Sequence, residues 1–195
     1  TTTVDTTAPG APSITSVTDD VGSITGTLTS GGRTDDTNLT VRVSLGSTNA
    51  VAGDTVQLYN GGAALGTAYT LLAADITNGY ADVATGTLTN ATAYTLTAKV
   101  IDIAGNASAA SGSFTTTVDT TAPGAPSITS VTDDVGSITG TLTSGGRTDD
   151  TNLTVRVSLG STNAVAGDTV QLYNGGAALG TAYTLLAADI TNGYA

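Results

Sequence analysis

Hydrophobic and polar residues alternate with a period of two along most of this chain. Leu39-Thr40-Val41-Arg42-Val43-Ser44-Leu45 puts four aliphatic residues on one face and Thr, Arg and Ser on the other, the pattern of a half-buried strand. Thr55-Val56-Gln57-Leu58-Tyr59 repeats it, and Asn60-Gly61-Gly62 supplies the positive-φ residues of a hairpin turn before a returning strand over 64–70. Tyr94-Thr95-Leu96-Thr97-Ala98-Lys99-Val100 alternates again, and 112–118 reads as a further strand carrying Phe114. Two shorter, Thr-rich strands over 13–18 and 23–29 flank a turn at Asp19-Asp20-Val21-Gly22. Helical spacing is confined to 71–75, enough for one turn. Seven to eight short strands without a long helix predict an all-β unit, a β-sandwich.

One local pattern narrows the expectation. Leu88 lies six residues ahead of Tyr94, which opens an alternating strand. That is the spacing of a tyrosine corner, in which the phenol hydroxyl bonds back to the backbone in immunoglobulin-like and fibronectin-III-like sandwiches. The pattern then starts over. Residues 1–81 return letter for letter as 115–195, so the chain reads as one 114-residue unit and most of a second. A period of that length suits a row of whole domains rather than the turns of a solenoid. The expected domains are 1–118, with a linker over 5–12, and 119–195, incomplete at its C-terminal end. Pro9 and Pro12 cannot extend a ladder, so the linker reads as short and semi-stiff, and it recurs at 120–126.

Composition changes this picture in two ways. All sixteen acidic residues are Asp, against five basic ones, for a net charge of −11. That balance repels phosphate backbones and anionic lipid surfaces, which argues against nucleic-acid partners and direct membrane insertion. Asp also forms turns, and it supplies short oxygen ligands for hard cations. Second, Cys, His, Trp and Met are all absent from the sequence. Disulfides and thiolate sites are therefore impossible, and the common acid–base and thiol machineries of enzymes lack their residues. No Gly-x-Ser-x-Gly elbow and no phosphate-loop Lys occurs, so no enzyme is expected.

The paired acidic residues carry the remaining chemistry. In the sandwich sketched above, Asp5 enters at one end, where the turn Asp102-Ile103-Ala104-Gly105-Asn106 also lies. Asp19, Asp20, Asp35 and Asp36 gather at the opposite end, from which the next linker leaves with Asp119. The second copy repeats them as Asp133, Asp134, Asp149 and Asp150. Several carboxylates at one junction repel unless a cation separates them, and an all-oxygen set suits Ca2+ rather than zinc. Asp54, Asp75 and Asp82 stand alone and read as solvated turn formers.

Five segments together resemble a known family: Val4-Asp5-Thr6-Thr7-Ala8-Pro9, 14–22, 26–32, Thr34-Asp35-Asp36-Thr37 and 102–106. They are similar to the bacterial Ig-like repeats of giant biofilm-associated-protein-type adhesins exported by type I secretion. The resemblance implies a calcium-binding extender on the bacterial cell surface or in the biofilm matrix, with neighbouring identical repeats as its partners. It also implies cation sites near the junctions, carried onto the Asp residues just named and Asn106. The stretch 41–60 is longer than the usual repeat. Two alternatives stand beside the extender: repeats that grip glycans through Tyr59, Tyr69 and Tyr80, and homotypic association through Thr-rich edges near Thr115–Thr117.

Overall fold

The computed structural model describes residues 3–22 and 25–195. The chain divides into two compact units, Thr1–Thr121 and Ala122–Ala195.

Among the described residues, unit 1 is all-β apart from one short helix, and its strands form two sheets. The first runs in the order β2 (Gly26–Thr27), β1 (Ser13–Asp19), β4 (Thr40–Ser44), β7 (Tyr80–Ala84), antiparallel throughout. The second runs β3 (Gly32–Thr34), β9 (Phe114–Val118), β8 (Thr92–Ile101), β5 (Thr55–Asn60), β6 (Ala63–Thr70). Only β3 and β9 are parallel. Alternation explains the core. Val17, Val41 and Val43 from the first sheet meet Val56, Leu58, Leu96 and Val100 from the second in a single cluster, all but sealed from solvent. Burying each such side chain contributes roughly 1.5–3 kcal/mol.

The predicted tyrosine corner is present in its geometry. The Thr89 backbone N–H donates to the Tyr94 phenol oxygen at 2.8 Å. Leu88 and Tyr94 are both buried beside it, so the ring fills core volume while its oxygen satisfies a loop amide.

Several expectations need correcting. The helical turn lies further along, as α1 (Ala73–Asn78), because Asp75 caps its start rather than ending it. Its carboxylate accepts the Leu72 N–H at 2.8 Å and the Tyr69 hydroxyl at 3.1 Å, while Gly79 closes the helix at φ 76°. The sequence predicts no strand at β7 (Tyr80–Ala84), since an isolated Asp82 reads as a turn former. Asp82 instead sits opposite Arg42 across β4 and β7 and forms a two-pronged ion pair, with both contacts at 2.8 Å. Of the strand expected over 23–29, Gly26–Thr27 pairs with β1, and Ser23 and Ile24 lie outside the described residues. Thr115–Thr117 are not an edge. Strand β3 covers β9 on one side and β8 on the other.

Unit 2 carries β10 (Ser127–Asp133), β11 (Gly140–Thr141) and β12 (Thr154–Ser158) in one sheet. A second pair joins β13 (Thr169–Asn174) to β14 (Ala177–Thr184), followed by α2 (Ala187–Asn192). Residues 146–148 repeat the letters of β3, yet they form no strand. The reason is tertiary: β3 exists by pairing with β9, and unit 2 has no counterpart of β9 within these residues.

Candidate functional site

Most of the carboxylates of unit 1 lie at its two ends, in the turns beyond β1, β3 and β8 and in the stretches before β1 and after β9. Where the chain enters, the turn after β8 is wound on its own side chains. Asp102 accepts the Asn106 backbone N–H at 2.7 Å and the Asn106 side-chain amide at 2.8 Å. These bonds, led by the side-chain amide, hold the Asp102 carboxyl below the usual carboxylate range. The same Asn106 amide donates to the Asp5 carbonyl oxygen at 3.1 Å, and the Asp5 carboxylate accepts the Thr7 N–H at 2.9 Å.

Asp54 belongs to this end, although its isolation in the sequence marked it as a solvated turn residue. It is 3% exposed. Its two oxygens accept Val51 N–H at 2.8 Å and Ile103 N–H at 3.2 Å, so one carboxylate ties two turns together. A cleft of ≈ 610 Å3 opens here, lined by the carboxylates of Asp5, Asp54 and Asp102. The sequence signal was available: Gly53-Asp54 immediately precedes an alternating strand, at a spacing that turns the chain.

The opposite end is organised by Thr34, which sequence reasoning passed over. Its hydroxyl donates to Asp19 at 2.6 Å and accepts the Asp36 N–H at 3.1 Å. Asp19 also accepts the Val21 N–H, and Asp36 accepts the Asn38 N–H at 2.7 Å. Both Asp residues are buried, whereas Asp20 and Asp35 are exposed. Gly22, at φ 78°, leaves room for the Asp35 carboxylate, which a Cβ would displace. Asp119 joins through its backbone, donating N–H to the Thr34 carbonyl at 2.8 Å. Its carboxylate pairs with Arg33 at 3.0 Å. Unit 2 rebuilds the arrangement: Thr148 donates to Asp133 at 2.6 Å and accepts Asp150 N–H at 2.9 Å. Asp134 and Asp149 are exposed in the same way as their counterparts.

The donor chemistry at the entering end fits a hard cation, since it offers carboxylate and carbonyl oxygens and its cleft has no basic lining residue. At the opposite end Arg33 already neutralises Asp119. Among the described residues no three acidic side chains form a group able to hold a metal ion.

The tyrosines considered for sugar stacking are engaged elsewhere. Tyr80 lies under the Arg42 guanidinium at 4.0 Å and Tyr59 under the Lys99 ammonium at 5.4 Å, and Tyr69 packs against the core. The Arg42–Asp82 pair lowers the Asp82 pKa, so its stabilisation is complete above the ordinary carboxylate range. It is lost as pH falls through the lowered value. Asp82→Asn is therefore expected to cost about 0.2–1 kcal/mol at pH 7 for this half-exposed pair. In acid titrations of thermal stability, the gap between variant and parent closes below about pH 4.

The linker is tied down on both sides. Thr120 N–H donates to Asn90, whose amide donates to Thr121, within unit 1. Gly124 N–H donates to Thr162 O at 2.7 Å within unit 2.

No protein-family model matches this chain, and neither does any curated protein or any solved structure.

Proposed function

We propose that this chain is a pair of extender repeats from a large bacterial surface adhesin, a strut whose joints are stiffened by calcium. The observation that carries this reading is the exact return of 81 residues in a unit whose acidic groups are concentrated at its two ends. A row of such units gains length by repetition, and each keeps its ion-binding potential where its neighbours attach.

The strand order supports an Ig-like or fibronectin-III-like sandwich. Strands β1, β4 and β7 correspond to A, B and E, and β5, β8 and β9 to C, F and G, with Tyr94 at the corner. The recurring linker supports the strut, since Pro9 and Pro12 return as Pro123 and Pro126 and restrict the chain between repeats. Asp5 and Asp102 are the carboxylates that would hold calcium at the entering end, with Asn106 and backbone carbonyls as neutral partners and Asp54 anchoring the turn beside them. Extracellular sites of this kind bind with dissociation constants of roughly 10⁻⁴–10⁻³ M, and so fill only outside the cell. Folding would then be coupled to export.

Calorimetry in calcium and in EDTA tests the reading. At about one hundred times the dissociation constant, calcium is expected to add about 2.7 kcal/mol to unit 1, and Asp102→Ala is expected to abolish the gain. An unchanged melting profile after chelation removes the metal and leaves a plain spacer.

A further inference from the structure

Among the described residues, the two sheets of unit 1 end on the strands β2, β7, β3 and β6. Strands β2 and β3 are 2 and 3 residues long, and β7 carries Asp82. Short length and charge both discourage a further strand from pairing there. Strand β6 runs for 8 residues, Ala63-Ala64-Leu65-Gly66-Thr67-Ala68-Tyr69-Thr70, without a charge or a proline. Such an edge templates a copy of itself, and identical repeats in a row supply copies at high local concentration.

Its ladder to β5 is broken at one place. Leu65 lies opposite Leu58 and Tyr69 opposite Val56, so Gly66, Thr67 and Ala68 together face the single residue Gln57. The spacing of apolar residues requires the break. Leu65 and Tyr69 are separated by three residues and Val56 and Leu58 by one, yet all four pack on the core. A regular strand would turn Thr67 inward between Leu65 and Tyr69. The extra residues are extruded instead, beginning at Gly66 with φ 66°. A Cβ there would lie 2.6 Å from the Thr85 carbonyl oxygen. The Gln57 side-chain amide holds the break open, donating to Leu58 O at 2.8 Å and to Leu65 O at 2.9 Å, one carbonyl on each strand. Unit 2 repeats the arrangement. Gly180, Thr181 and Ala182 face Gln171, and Gly180 has φ 67°. The Gln171 amide donates to Leu172 O at 2.8 Å and Leu179 O at 3.0 Å.

We propose that this bulge is a guard, held by Gln57, that closes the β6 edge to a second copy of the chain. The inference goes beyond the extender reading and does not depend on calcium. Its ground is that β6 lacks the protections of the other edges and alone among them is interrupted within its length. An unbroken edge offers a continuous row of backbone donors and acceptors. The bulge divides that row into 63–65 and 69–70 and adds twist between them, so an incoming strand finds only short stretches in register. Gly66, Thr67 and Ala68 are exposed, and water satisfies the backbone groups that the ladder leaves out.

Removing the break tests the guard. Deleting Gly66 and Thr67, with Gly180 and Thr181 in unit 2, sets Ala68 opposite Gln57 and makes the ladder continuous. Sedimentation equilibrium of the whole chain over a dilution series, in calcium and in EDTA, compares this variant with the parent. The deletion is expected to raise the association constant between chains by about tenfold or more, equally in both conditions, and to slow amide exchange along β6 as concentration rises. An association constant unchanged from the parent overturns the proposal. So does association that needs calcium or leaves exchange along β6 unaltered. Should the deletion not fold, Gln57→Leu and Gln57→Glu, each with the same change at Gln171, provide the second measurement. Both remove the donors to Leu58 and Leu65, but only Glu sets a charge beside the edge. Association is expected from Gln57→Leu and not from Gln57→Glu. Any other pattern, equal association or none included, defeats the idea.

Discussion

Leu58→Ala is expected to cost unit 1 about 2–5 kcal/mol, whereas the same change at Leu172 costs unit 2 less than about 1 kcal/mol. The two leucines share every neighbour in sequence and differ only in what packs over them. Leu58 is 1% exposed within a cluster fed by both sheets. Removing its branched end leaves a cavity whose walls, Val56, Leu96 and Val100 among the cluster, are held by paired strands and cannot collapse freely. Leu172 is half-buried, so much of its side chain meets solvent already. Only Val157, Leu159 and Leu185 are buried hydrophobics in unit 2, so its transition belongs at the lower temperature. Scanning calorimetry of the whole chain then separates the outcomes. Leu58→Ala lowers the upper transition by roughly 10 °C or more and leaves the lower one in place. Equal shifts for the two substitutions would mean that unit 2 holds its leucine as tightly as unit 1 does.

That contrast also marks how far the sequence could be read. Strands β4, β5 and β8 were legible because each alternates over five or more residues with one buried face, while β6 followed from the hairpin turn at Asn60-Gly61-Gly62. Tyr94 was legible because the spacing from Leu88 encodes a local bond. Strand β3 was not, and could not be. The letters Gly-Arg-Thr form a strand at 32–34 and none at 146–148, so the outcome is decided by β9, some eighty residues away in unit 1. Tertiary pairing overrode propensity there. Strand β7 was lost for a different reason. A charged residue at its centre resembles a turn signal until its cross-strand partner, Arg42, is known.

The acidic ends divide in the same manner. Their location followed from strand directions alone, and the chain brings Asp19, Asp36 and Asp119 to one end through Thr34. What each carboxylate does there did not follow. Asp19 and Asp36 are buried and spend their oxygens on Thr34 and backbone amides, while Asp20 and Asp35 face solvent. Adjacent residues on an extended chain point to opposite sides, so a pair of Asp letters splits into one structural and one exposed carboxylate. Counting acidic letters therefore overstates the ligands available to a single ion.

Asp54 is where the structural and ionic roles meet, and its replacement is expected to have the second-largest effect. Asp54→Asn should destabilise unit 1 by about 2–4 kcal/mol, since hydrogen bonds to a charged acceptor contribute about 1.5–3 kcal/mol each. An amide has one accepting oxygen for the two N–H groups of Val51 and Ile103, and it turns a donor toward the other. At 3% exposure, water cannot make good the loss. The consequence reaches the cleft. Without its anchor at Ile103 the 102–106 turn loosens, and with it the Asp102–Asn106 bonds and the contact from Asn106 to the Asp5 carbonyl. The counterpart Asp168 is half-buried and accepts only the Val165 N–H among the described residues, so Asp168→Asn should cost about 1 kcal/mol or less. Amide exchange at Ile103 gives the direct readout, with protection lost in Asp54→Asn and kept in Asp168→Asn. If calcium raises the melting temperature of the parent, Asp54→Asn is expected to lose that response along with Asp102→Ala. A variant that keeps Ile103 protected and responds fully to calcium would separate Asp54 from both roles.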